Sequence, residues 1–97
     1  MSASLTGAEK RNLKSRAQLL EAIVRVGQAG VTDAVVASLD EALGLHGLVK
    51  VRFSGFKEER RTLAPEMAER TGSFLVQQVG NVAVFYRTPT PSHVHAH

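Results

Sequence analysis

The chain has 97 residues, 43% hydrophobic but only 5% aromatic, with twelve Lys and Arg against nine Asp and Glu for a formal net charge of +3. That length makes one domain with an aliphatic core. Because there is no cysteine, a disulfide frame, a thiolate metal site and a thiol nucleophile are excluded. No apolar run approaches the ~20 residues needed to cross a bilayer, and the polar N-terminus has no apolar leader core, so a cytoplasmic location is expected.

Residues 1–4 read as a flexible end, residues 5–88 as the folded domain and residues 89–97 as a disordered, His-containing tail. Thr6 and Glu9 have capping-box spacing, which predicts a helix from about Gly7 to Leu20. Leu13, Ala17 and Leu20 then share the core side, and Lys10, Arg11 and Lys14 share an adjacent arc. Ala22 to Val26 is β-branched and reads as the first strand. Thr32 caps a second helix running to about Leu45, with Val35, Val36, Leu39, Ala42 and Leu43 as its core stripe, His46 on that apolar side and Gly47 as the stop. In Leu48 to Ser54, Val49, Val51 and Phe53 alternate with Lys50 and Arg52, which predicts a strand with one apolar and one basic face.

Pro65 constrains the third helix. With Thr62 as N-cap, the proline falls in the first turn, where its missing N–H does no harm. A longer, kinked helix is the alternative. Gly72 ends the helix, and Leu63, Ala64 and Met67 face the core. Phe74 to Val79 and Val82 to Arg87 form an antiparallel hairpin about Gly80-Asn81. The order α-β-α-β-α-β-β implies right-handed crossovers and an α/β fold, a mixed four-stranded sheet with helices packed on it.

Between the first strand and the second helix lies Val26-Gly27-Gln28-Ala29-Gly30-Val31-Thr32-Asp33, a GxxG loop. Glycines three apart permit a sharp turn and close approach to a ligand. The helix start that follows presents N–H donors and a positive dipole end, which suits a phosphate. The bland alternative is turn geometry alone.

With those elements placed, the chain resembles the CRM domain, the chloroplast RNA splicing and ribosome maturation family, in its single-domain bacterial form. The resemblance runs from Leu5-Thr6-Gly7 and the helix around Lys10, Arg11 and Leu13 through Val26-Gly27 and Gly30-Val31-Thr32. It continues in Asp40-Glu41-Ala42-Leu43, His46, Leu48-Val49-Lys50-Val51, Glu58-Glu59-Arg60, Thr71-Gly72, Val79-Gly80 and Tyr86-Arg87. It implies a fold similar to the C-terminal domain of translation initiation factor three. It also implies an RNA-binding protein acting on precursor ribosomal RNA or a pre-large-subunit particle; a monomer without catalytic activity is expected. Gln28 and Ala29 stand where many relatives carry a basic loop residue, and Asn81 departs in the same way.

The expected RNA contacts are Gly27, Gln28, Ala29, Gly30, Val31 and Thr32 of the loop, with the amides of Gly30 and Val31 meeting a phosphate. Lys10, Arg11 and Lys14 on the first helix and Lys50 and Arg52 on the second strand supply charge. Arg25 is ambiguous between RNA contact and a solvated strand face. Lys57, Arg60 and Arg61 are interleaved with Glu58 and Glu59, so self-pairing competes with RNA contact. Phe56 reads as a core plug rather than a stacking platform, and His46 as a structural residue. No catalytic constellation, metal site, cofactor or small-molecule substrate is read, and His93, His95 and His97 lack supporting ligands. A protein-interaction module docking on a ribosomal or assembly protein is the alternative function.

Overall fold

The computed structural model describes residues 5–27, 29–54 and 60–88, with residues 60 and 61 described through their backbone alone. The readings for residues 1–4, Gln28, Phe56, the charged side chains of 57–61 and the tail from 89 lie outside them. The elements run α1 (Gly7–Ala17), β1 (Ala22–Val26), α2 (Asp33–His46), β2 (Leu48–Phe53), α3 (Arg60–Thr71), β3 (Phe74–Val79) and β4 (Val82–Tyr86). They form the expected mixed four-stranded sheet, in the order β1-β2-β4-β3. β1 and β2 are parallel, and the other two pairings are antiparallel.

The pleat of the sheet divides the core in two. Val49, Val51 and Phe53 of β2 and Ala83 and Phe85 of β4 point to one side, with Val24 and Val26 of β1. There they meet Leu39, Ala42 and Leu43 of α2 and Ala64, Met67 and Ala68 of α3. The alternate residues Leu48 and Val84 point to the other side with Val76, under Leu13 and Ala17 of α1. Alternation along a strand thus becomes two buried faces once helices cover both sides. Each buried Val, Leu or Phe contributes about 1.5–3 kcal/mol. The larger cluster carries the two most voluminous buried side chains, Phe53 and Phe85.

Local chemistry sets the helix ends. The Glu9 N–H donates to Thr6 Oγ1 at 3.0 Å and the Thr6 N–H to Glu9 Oε1 at 2.8 Å, completing the capping box. Thr32 Oγ1 accepts from the Val35 N–H at 3.2 Å. Gly47, at φ 79°, ends α2 by donating to the Leu43 carbonyl at 2.9 Å.

Two boundaries differ from the sequence reading by more than one residue. α1 stops at Ala17 rather than Leu20, because the Leu19 and Leu20 N–H groups turn to the carbonyls three residues back, those of Arg16 and Ala17. That tightened turn takes the chain round to β1 and leaves Leu20 37% exposed instead of on the core side. α3 begins at Arg60, so Pro65 is its sixth residue and not part of a first turn capped by Thr62. The proline withholds an N–H from the carbonyl of residue 61. Complete burial of Ala64 and Met67 on the same helix outweighs that local cost, because tertiary packing supplies most helical stability in proteins.

Candidate nucleic-acid interface

Three structural features meet at the carboxyl ends of β1 and β2. The GxxG loop leaves β1 there, the Ser54 N–H donates to the Val26 carbonyl at 2.9 Å, and the Phe53 N–H donates to the Asn81 carbonyl of the β3–β4 turn at 2.8 Å. The N-terminus of α2 follows directly from the loop. Ala29 of the loop and Asn81 of the turn therefore fall on one end of the sheet.

The two loop glycines do different work. Gly30 has φ +80°, a conformation that L side chains rarely adopt, so the turn itself requires glycine. Gly27 lies outside the left-handed region, and among the described residues a Cβ there would meet nothing within 4 Å. Neither φ nor packing against the described residues accounts for glycine at 27. The Gly30 N–H, expected to point at a phosphate, instead donates to the Gly27 carbonyl at 3.0 Å and closes the turn. Among the described residues no acceptor takes the Val31 N–H, and the first-turn amides of Asp33 and Ala34 have no intrahelical partner by geometry. Thr32 caps the helix with its hydroxyl. Ala29 is exposed and Val31 is half-buried against the core. Among the described residues the amides of 31, 33 and 34, and not that of Gly30, are thus left without a protein acceptor at this loop. The Asp33 carboxylate beside them is held at 2.9 Å by Arg70 of α3.

Ion pairing sorts the cations. Among the described residues every salt bridge uses Arg70 or Arg87. Arg87 is structural: its guanidinium donates to Asp40 Oδ1 at 2.7 Å, to the Thr71 carbonyl at 2.6 Å and to the Asp40 carbonyl at 2.9 Å, tying the end of β4 to α2 and α3. This pair joins two of the stretches that carry the family resemblance, Asp40-Glu41-Ala42-Leu43 and Tyr86-Arg87. The visible signal was an acid and a base within that pattern, 47 residues apart.

The remaining cations have no acidic partner among the described residues. Lys10, Arg11 and Lys14 are exposed on α1. Arg25 and Arg52 are exposed on the sheet face that carries α1, opposite the buried Val24, Val26, Val51 and Phe53. Lys50 is half-buried on that face and sends its Nζ to the Leu20 carbonyl at 3.1 Å. α1 packs on β2, β4 and β3. Its Arg16 flank lines a hollow with Leu5 and Tyr86, toward the amino end of β2. On a 100° helical wheel Lys10 and Lys14 take the opposite flank, toward Arg52 and the loop end. The tertiary fold thus brings cations from α1, β1 and β2 onto one face beside the GxxG loop.

His46 departs from the sequence reading: it is exposed at the last turn of α2, not on its apolar side. It lines an apolar groove of about 480 Å³ with Leu19, Leu20, Ile23 and Leu48. Among the described residues no group of three or more His, Asp or Glu is arranged to hold a metal ion, and no helix is long and apolar enough to cross a membrane.

A small α/β domain with an unpaired basic face beside a glycine turn is the class that these features define. The CRS1 / YhbY (CRM) domain model matches residues 5–87, and the chain belongs to that family. It is 35% identical over 91 residues to "Probable RNA-binding protein PA4753" of Pseudomonas aeruginosa, covering 92% of this chain and 88% of that protein. It is 37% identical over 84 residues to "Probable RNA-binding protein YqeI" of Bacillus subtilis, covering 86% and 88%. The solution structure of SAV1595 from Staphylococcus aureus superposes with a TM-score of 0.78 at 32% identity, covering 91% of this chain and 93% of that one.

Proposed function

We propose that this protein is a non-catalytic, monomeric, cytoplasmic RNA-binding protein that acts on precursor ribosomal RNA during large-subunit assembly. The observation that carries the reading is the face on which Lys10, Arg11, Lys14, Arg25 and Arg52 stand exposed with no acidic partner among the described residues. An unneutralised basic face next to helix-start amides suits the phosphates of a folded RNA, read through backbone and shape. The names of the Pseudomonas and Bacillus relatives support RNA as the ligand class.

The test is a mobility-shift titration on a structured ribosomal RNA transcript across a range of KCl. The expected result is binding at low salt with a log–log slope of about −0.7 to −0.9 per phosphate contacted. Absence of binding at low salt, or binding indifferent to salt, overturns the reading. The assembly role predicts co-sedimentation with large-subunit precursors that RNase abolishes. A protein-docking reading draws on the apolar groove, where Leu19, Ile23 and nearby Leu45 are 87%, 56% and 71% exposed. It predicts association that survives RNase and changes little with salt.

A further inference from the structure

Arg25 and Arg52 are direct partners in the parallel β1–β2 ladder. The flanking pairs, Val24 with Val51 and Val26 with Phe53, are buried under α2 and α3, so the pleat turns both arginines to the opposite, open side. Neighbouring strands lie about 4.8 Å apart. Two guanidinium groups therefore rise side by side from one rung, and like charges directly opposite destabilise a sheet. Neither has a carboxylate within ion-pair distance among the described residues. Lys50, on the same face, is tied to the Leu20 carbonyl. The two arginines line a shallow cavity of about 310 Å³ together with Leu20, Glu21, Ala22, Lys50 and Val82.

We propose that Arg25 and Arg52 together grip a single RNA backbone phosphate in this cavity, an inference that rests on the RNA-binding reading above. One phosphate between the two groups removes their repulsion and offers each planar fork charge-assisted hydrogen bonds. The α1 cations differ in kind. They are spread along a helix, where each meets a separate phosphate.

The experiment is a double-mutant cycle with Arg25→Gln, Arg52→Gln and the double variant, read by affinity for a structured ribosomal RNA hairpin and by thermal unfolding without RNA. Shared contact predicts that each single variant loses about tenfold in affinity and that the double variant loses no more, because either change alone empties the clamp. Without RNA at low salt, each single variant melts above the wild type, and high salt removes the difference. Additive losses, or unchanged affinity in both single variants, overturn the shared phosphate. Single variants that melt no higher than the wild type at low salt overturn the repulsion that it relieves. Inorganic phosphate at matched ionic strength, raising the wild-type melting temperature as far as the hairpin does, overturns RNA as the source of the anion. Wild-type protein that binds no hairpin at low salt overturns the RNA reading itself, while the melting comparison still reports on the pair.

Discussion

Separate replacement of Gly27 and Gly30 by alanine divides what the loop needs for folding from what it needs for a ligand. At Gly30, φ is +80°, and a Cβ in the left-handed region adds about 1–2 kcal/mol of strain. Among the described residues no neighbour lies within 4 Å to add a clash, so backbone strain, partly offset by the restricted unfolded chain, sets the effect. For a domain of this size about 1 kcal/mol lowers Tm by roughly 4–8 °C. At Gly27 neither φ nor any described neighbour opposes a methyl group. Alanine there restricts the unfolded chain and raises stability by about 0.4–1 kcal/mol. The two changes therefore have opposite signs in urea or thermal denaturation. RNA affinity runs the other way at Gly27: a methyl group on this exposed turn holds the backbone away from a phosphate. The expected cost is about tenfold in mobility shift, the worth of one charge-assisted hydrogen bond. A Gly27→Ala variant that binds structured RNA like the wild type refutes ligand approach as the reason for that glycine. A Gly30→Ala variant as stable as the wild type refutes the backbone account.

Charge reversal at Lys10 and Lys14 leaves the core untouched. It is expected to reduce affinity uniformly across RNA sequences and to flatten the salt slope by about one for each phosphate no longer neutralised, read from the same KCl series. Arg87→Ala removes three hydrogen bonds that join β4 to α2 and α3. It is expected to destabilise by about 2–4 kcal/mol in urea unfolding, with RNA affinity preserved in the folded fraction. A change below about 0.5 kcal/mol, the size of a neutral surface substitution, contradicts the structural role. Pro65→Ala restores a donor in the middle of α3 at an exposed position. It is expected to raise stability by about 1–3 kcal/mol in urea unfolding, and a decrease refutes the interior placement of that proline.

The elements of this fold are written locally. The Thr6–Glu9 box, the Thr32 cap, the stops at Gly47 and Gly72, the alternation in β2 and the Gly80-Asn81 turn each act within a few residues. Their physics needs no partner from elsewhere in the chain, and so the element order and the mixed sheet are legible without coordinates. Where local and tertiary terms compete, the sequence misleads. Pro65 reads as a helix start because its cost is local, while the burial of Ala64 and Met67 that outweighs it belongs to a core assembled from α2, α3 and the sheet. Leu20 fits a helical stripe until the chain has to turn into β1.

The candidate site divides along the same line. Composition, the glycine spacing of the loop and the α1 arc are legible in the sequence, and the family resemblance is what turns them toward RNA. Three further facts come only from the folded structure: that the Gly30 amide is spent inside its own turn, that Arg87 belongs to the scaffold, and that Arg25 stands beside Arg52. The first depends on how the backbone closes the loop, which two glycines leave open. The other two depend on strand register and on a hydrogen bond that spans 47 positions of the chain, and no local pattern encodes such pairings.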